Sequence, residues 1–166
     1  AQSDTYLDPS VFRLSGNILI NLLKDDGTIS PLQGTEKLAV VDQLPNMLFQ
    51  KRHFYVNGKL INMVTQPYAG IKTVLENNLS YSSEACETFL ASEHVDTKTK
   101  FTDTISHFKG ETFMERMKPY ANNQKVPFCI DLQIDILKTD RYLLPWIDYS
   151  MELIKADDGL LYFTDE

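Results

Sequence analysis

The chain has 166 residues, 43% of them hydrophobic, and a formal net charge of −7. A chain of this length buries roughly 70% of its unfolded surface, so it folds as one domain without needing staples, and its composition excludes wholesale disorder. The acidic balance argues against a nucleic-acid surface, where a basic patch is expected, and against docking on an anionic membrane. No run approaches the ~18 apolar residues of a membrane helix. No basic stretch followed by an apolar one opens the chain in the manner of a signal peptide.

The first ten residues are polar and turn-rich, with Asp8-Pro9-Ser10. From Phe12 to Leu23 the pattern predicts a long strand, softly broken at Ser15-Gly16, with Ile18, Ile20 and Leu22 on one face and Leu19, Asn21 and Leu23 on the other. It ends at the turn signal Asp25-Asp26-Gly27. Residues 28–42 read as a loop or weak strand containing Pro31 and Gly34. Residues 42–49 read as a helical turn with Leu44, Leu48 and Met47 inward. Next, Asn57-Gly58 stands between the β-formers His53 to Val56 and Lys59 to Ile61. That pair predicts a type I′ hairpin, whose two central residues need positive φ.

Two helices are predicted in the middle of the chain. The first is capped at Thr65 or Gln66, has Pro67 in its first turn, and carries Tyr68, Ile71, Val74, Leu75 and Leu79 at helical spacing. The second follows Ser82-Ser83 and carries Ala85, Cys86, Phe89 and Leu90. Residues 92–112 read as a polar surface loop, and 113–118 fit strand or helix equally. From Val126 to Leu137 a clean alternation predicts a strand with Ile130, Leu132, Ile134 and Ile136 in the core and Asp131, Gln133 and Asp135 outside. Thr139-Asp140 turns, Leu143 to Trp146 makes a corner, and Tyr149 to Lys155 is the next strand. Asp157-Asp158-Gly159 turns again, and Leu160 to Phe163 is expected to pair back. Six to eight strands with loops of unequal length suit a mainly β sandwich with one or two short inserted helices. Gly27, Asn57, Gly58 and Gly159 are its structural turn positions.

No catalytic constellation can be assembled. The three histidines, His53 in a hairpin strand and His94 and His107 in polar loop regions, are not expected to be metal ligands. Asp131 and Asp135 on one strand would stand about 13 Å apart, too wide for a carboxylate pair that works on a glycosidic bond. Neither a Gly-x-Ser-x-Gly elbow nor a phosphate loop occurs. The two Asp-Asp-Gly triplets offer too few oxygens for calcium and read as turns. Cys86 and Cys129 fall in a helix and a strand and read as buried thiols. Aromatic residues do not alternate with basic ones as a single-strand nucleic-acid platform requires. The expectation is therefore no enzyme activity, no cofactor, no metal, no direct nucleic-acid partner and no membrane.

The order of these pieces resembles a known family. The first strand ends in Lys24-Asp25-Asp26-Gly27-Thr28. It is followed by Val41 to Phe49, by the hairpin strand His53 to Lys59, and by the helix Pro67-Tyr68 to Tyr81. Much later come Ile130-Asp131-Leu132-Gln133 and Arg141-Tyr142-Leu143-Leu144-Pro145-Trp146-Ile147-Asp148-Tyr149 to Lys155. This series resembles the first jelly roll of the double jelly-roll major capsid proteins of Polinton (Maverick) elements and adintovirus-like DNA viruses. The resemblance covers nearly the whole chain from about residue 4. It implies a jelly-roll sandwich spanning residues 1–166 and a structural role in a virion shell, or in a host-adopted derivative inside cells. It also implies self-association, three double-roll chains forming one capsomer. Where the family carries Asp-Ser-Phe-Cys, this chain has Asp158-Gly159-Leu160-Leu161-Tyr162-Phe163. Against the family, the outermost strands and the second roll are expected to be missing, which makes strand exchange between copies an expected route to a dimer. The alternative function is a jelly-roll module binding carbohydrate or peptide, with Trp146, Tyr81 and Tyr120 as candidate stacking residues.

Overall fold

A computed structural model describes residues 5–33, 38–62, 69–95 and 115–164. Thr65, Gln66, Pro67, Tyr68, Gly34, His107 and most of the polar loop lie outside these residues. The described chain is a mixed structure of several small antiparallel sheets with a few helices.

The first predicted strand is two strands. β1 (Arg13–Ile18) pairs with β7 (Val126–Asp131), and β2 (Asn21–Leu23) pairs with β3 (Ile29–Pro31). The break falls at Leu19-Ile20 and not at Gly16. Gly16 stays in the strand because its missing side chain makes room for Phe128 opposite: a Cβ there would lie 3.1 Å from the ring. The two faces run as the alternation requires, with Ile18 and Ile20 buried and Leu19 and Leu23 exposed. The β2–β3 hairpin closes through Gly27 at φ +79°, while Asp26 accepts hydrogen bonds from the Thr28 amide and hydroxyl.

β4 (Leu38–Val40) is followed by the helical turn α1 (Leu44–Met47), which begins after a left-handed Gln43. β5 (Phe49–Val56) turns into β6 (Lys59–Leu60) through Asn57 and Gly58 at φ +48° and +74°, the two positive values of a type I′ turn. Then come α2 (Ala69–Ser80) and α3 (Ser83–Glu87), the latter capped by Ser82, whose hydroxyl accepts from the Ala85 amide. Cys86 lies in α3 and Cys129 in β7, both as free thiols.

β7 is shorter than the alternation predicts. It stops at Asp131, Gln133 takes a left-handed φ of +51°, and Asp135–Lys138 form a 3-10 turn. Ile130, Leu132 and Ile134 are buried, Ile136 is only partly buried, and Leu137 joins them because the turn changes the period from two to three. β8 (Tyr149–Lys155) pairs with β5, with a register shift between Phe49 and Lys51. β9 (Tyr162–Thr164) pairs with β4, and not with β8 as expected. Asp157 accepts from the Gly159 amide and starts a 3-10 turn that carries the chain away from β8.

Two cores result. One gathers Ile18, Ile20, Leu32, Val40, Leu44, Met117, Tyr120 and Leu161. The other gathers Phe54, Ile130, Leu132, Ile134 and Leu137, with Phe128 packing against both.

Candidate functional site

The second core adjoins a buried polar junction rather than more hydrocarbon. On β5 the two-residue period puts Arg52 on the same face as Phe54, and both are buried. On α2 the face that packs inward is Gly70, Thr73 and Asn77. The apolar stripe Ile71, Leu75 and Leu79 faces outward, Leu79 at 84% exposure. Gly70 permits this arrangement, since a Cβ there would meet the Asn46 carbonyl at 2.8 Å.

Arg52, 3% exposed, donates to the Leu132 carbonyl (2.8 Å), the Asn46 carbonyl (2.8 Å) and the Thr73 hydroxyl (3.3 Å). It thereby ties β5 to α1, α2 and the end of β7. Glu93, 4% exposed, accepts from the Asn46 and Asn77 carboxamides at 2.9 and 2.8 Å. Asn77 also donates to Gln43 Oε1 (2.8 Å). Burial lowers the Arg52 pKa to about 10, and the Glu93 carboxylate opposes the shift. Gln43 Nε2, Asn46 Oδ1, Arg52 Nε and Asn77 Oδ1 are buried without a hydrogen-bond partner.

A second polar contact joins the first core. His94 Nε2–H donates to the Pro127 carbonyl at 2.9 Å, so Nδ1 is the acceptor for the Tyr120 hydroxyl. Burial pushes the His94 pKa down and the Tyr120 pKa up. Tyr120 is 3% exposed with its hydroxyl committed to His94, so the expected stacking role is corrected: no ligand can reach its ring. Trp146 is 71% exposed, and Tyr81 stacks edge-on against Phe89 at 5.3 Å. The three aromatics do not line a common cleft among the described residues.

His53 and Tyr55 both donate to Glu152 Oε2 across the β5–β8 pair, at 3.1 and 2.9 Å. The pair resembles a base with its orienting carboxylate, yet His53 Nε2 is buried and cannot meet a substrate. Asp131 pairs with Arg13 (3.0 Å) and Asp135 with Lys72 (3.2 Å), so these carboxylates serve different neighbours. Among the described residues no group of three His, Cys, Asp or Glu could hold a metal ion, and no helix is long and apolar enough to cross a membrane.

Two clefts flank residues 132–136. One, of about 500 Å³, lies between the C-terminal half of α2 and residues 131–138. The other, of about 260 Å³, lies between Arg52, Asn62, Lys72 and the same segment. Lys72 to Asp135 and Lys138 to Glu76 (both 3.2 Å) hold helix and segment together. Sequence reasoning missed Arg52, Glu93, Asn46 and Asn77. A charged residue in phase with Phe54 is the signal that marks Arg52; the others look like ordinary solvent-facing polar residues. No family model, curated protein or solved structure matches the chain.

Proposed function

We propose that this protein is a shell-forming structural protein of the double jelly-roll capsid type, or a derivative of one, and that it acts by self-association. The strand pairing supports this reading. β4 pairs with β9 and β5 with β8, both antiparallel, so residues 38–56 and 149–164 form one nested ribbon around a long excursion. A jelly roll is an antiparallel ribbon of that kind wrapped on itself. β1 pairing with β7, a strand of the excursion, folds the start of the chain over the ribbon.

The surface supports an assembling role. Among the described residues the sheets have two or three strands, leaving edges that can pair with another chain. Leu23 and Ile29 sit opposite each other on the β2–β3 hairpin and are both largely exposed. Exposed apolar surface of this sort marks association sites when it is contiguous. In the family that the sequence resembles, the product is a trimeric capsomer in a virion shell.

Sedimentation velocity from micromolar to millimolar concentration, with electron microscopy of the heavy fractions, tests the proposal. Dimers or larger assemblies of this single-roll chain are expected, and Leu23→Asp with Ile29→Asp should weaken them without unfolding the chain. A monomer at every concentration contradicts it.

A further inference from the structure

We propose that the cleft between α2 and residues 131–138 binds a neutral, hydroxyl-rich ligand of the size of a mono- or disaccharide. This goes beyond self-association and does not depend on it. The cleft's volume of about 500 Å³ lies within the range of small-molecule sites. Tyr81 stands in its wall, braced edge-on by Phe89 so that its ring is held in place while remaining 42% exposed. A sugar ring offers C–H groups to such a face and hydroxyls to polar groups around it.

The polar lining selects a neutral ligand. Glu76 is engaged by Lys138 at 3.2 Å and Lys72 at 3.7 Å, and Asp131 by Arg13 at 3.0 Å. Each of these charges already has a neighbour, so an ionic ligand competes with that neighbour for its counter-charge. A hydroxyl can donate to a carboxylate lone pair that an ion pair leaves open.

Asn77 provides an independent indication. Its amide group donates to Gln43 and Glu93, both acceptors, which fixes the orientation of the side chain. The carboxamide oxygen is left without a donor in a residue that lines the cleft. Gln133 stands on the opposite wall, where its left-handed backbone turns the chain.

The test is an NMR titration of the full chain with cellobiose, lactose and chitobiose, with glucuronate and a neutral heptapeptide as competitors. Saturable shifts at Tyr81, Asn77 and Gln133 are expected with at least one neutral disaccharide. Tyr81→Ala should weaken binding about tenfold, and Tyr81→Phe should retain most of it. Ser80→Trp, at the exposed end of α2, should block the cleft. Should Tyr81→Ala misfold, Ser80→Trp and the unaltered chain decide the matter. Absence of saturable shifts with all three disaccharides overturns the proposal. So does binding that both Tyr81→Ala and Ser80→Trp leave intact, or tighter binding of glucuronate or peptide at these residues.

Discussion

Replacing Arg52 by Met removes the charge and all three of its hydrogen bonds while keeping much of the side-chain volume. The carbonyls of Leu132 and Asn46 lose their guanidinium donor, and Glu93 stays buried with its compensating cation gone. Each buried group left unsatisfied costs about 1–3 kcal/mol, and the uncompensated carboxylate adds to this, for a total of about 3–5 kcal/mol. For a chain of this size that is a fall in melting temperature of roughly 6–20 °C. The depressed Arg52 pKa means that burial disfavours the charge more than Glu93 favours it. The pair is therefore a weak source of net stability, and removing both members should cost less than removing one. The cycle of Arg52→Met, Glu93→Gln, which keeps an oxygen for the Asn46 and Asn77 amides, and the double variant, followed by urea unfolding, measures this directly. A double variant more stable than Arg52→Met is expected. If Arg52→Met alone costs under about 1 kcal/mol, the range of a solvated ion pair, the buried junction is misread.

Three further outcomes follow from local geometry. Gly58→Val forces a β-branched residue to φ +74° and should cost about 1–2 kcal/mol; coincident unfolding midpoints would rule out the type I′ turn. Gly70→Ala places a Cβ 2.8 Å from the Asn46 carbonyl, pushing α2 from α1, and should cost roughly 1–3 kcal/mol despite alanine's better helix propensity; a stabilised variant would contradict that packing. His94 has a folded pKa below its ordinary 6.5, so folding favours the neutral ring. Its contribution is complete above pH 6.5 and is lost as pH falls through that value toward the folded pKa. His94→Asn, which tolerates the left-handed φ of +59°, should flatten the loss of stability between neutral and mildly acidic pH. An unchanged pH slope would mean that His94 takes no part in it.

What the sequence determined by itself is local. Asn57-Gly58 specifies its hairpin because the turn needs two positive φ values that few residue pairs accept. Asp25-Asp26-Gly27 ends its strand for the same kind of reason, and the alternation through Ile18, Ile20 and Leu22 selects the buried face of β1 and β2. Tertiary structure decided the rest. Alternation from Ile130 to Ile136 reads as one strand, yet only packing shows that Gln133 bends the chain so that Leu137 reaches the same core. The apolar stripe of α2 has the spacing of a buried face, while the face that enters carries Thr73 and Asn77. That choice depends on partners far away in sequence: Arg52, Glu93 and Gln43 supply hydrogen bonds that make a polar face admissible inside. Tyr81 stands in a cleft wall and Tyr120 is closed into a core, although both are tyrosines in polar stretches of chain. Periodicity reports which residues share a face, but whether that face meets hydrocarbon, a polar partner or water depends on long-range pairing, which one-dimensional spacing does not contain.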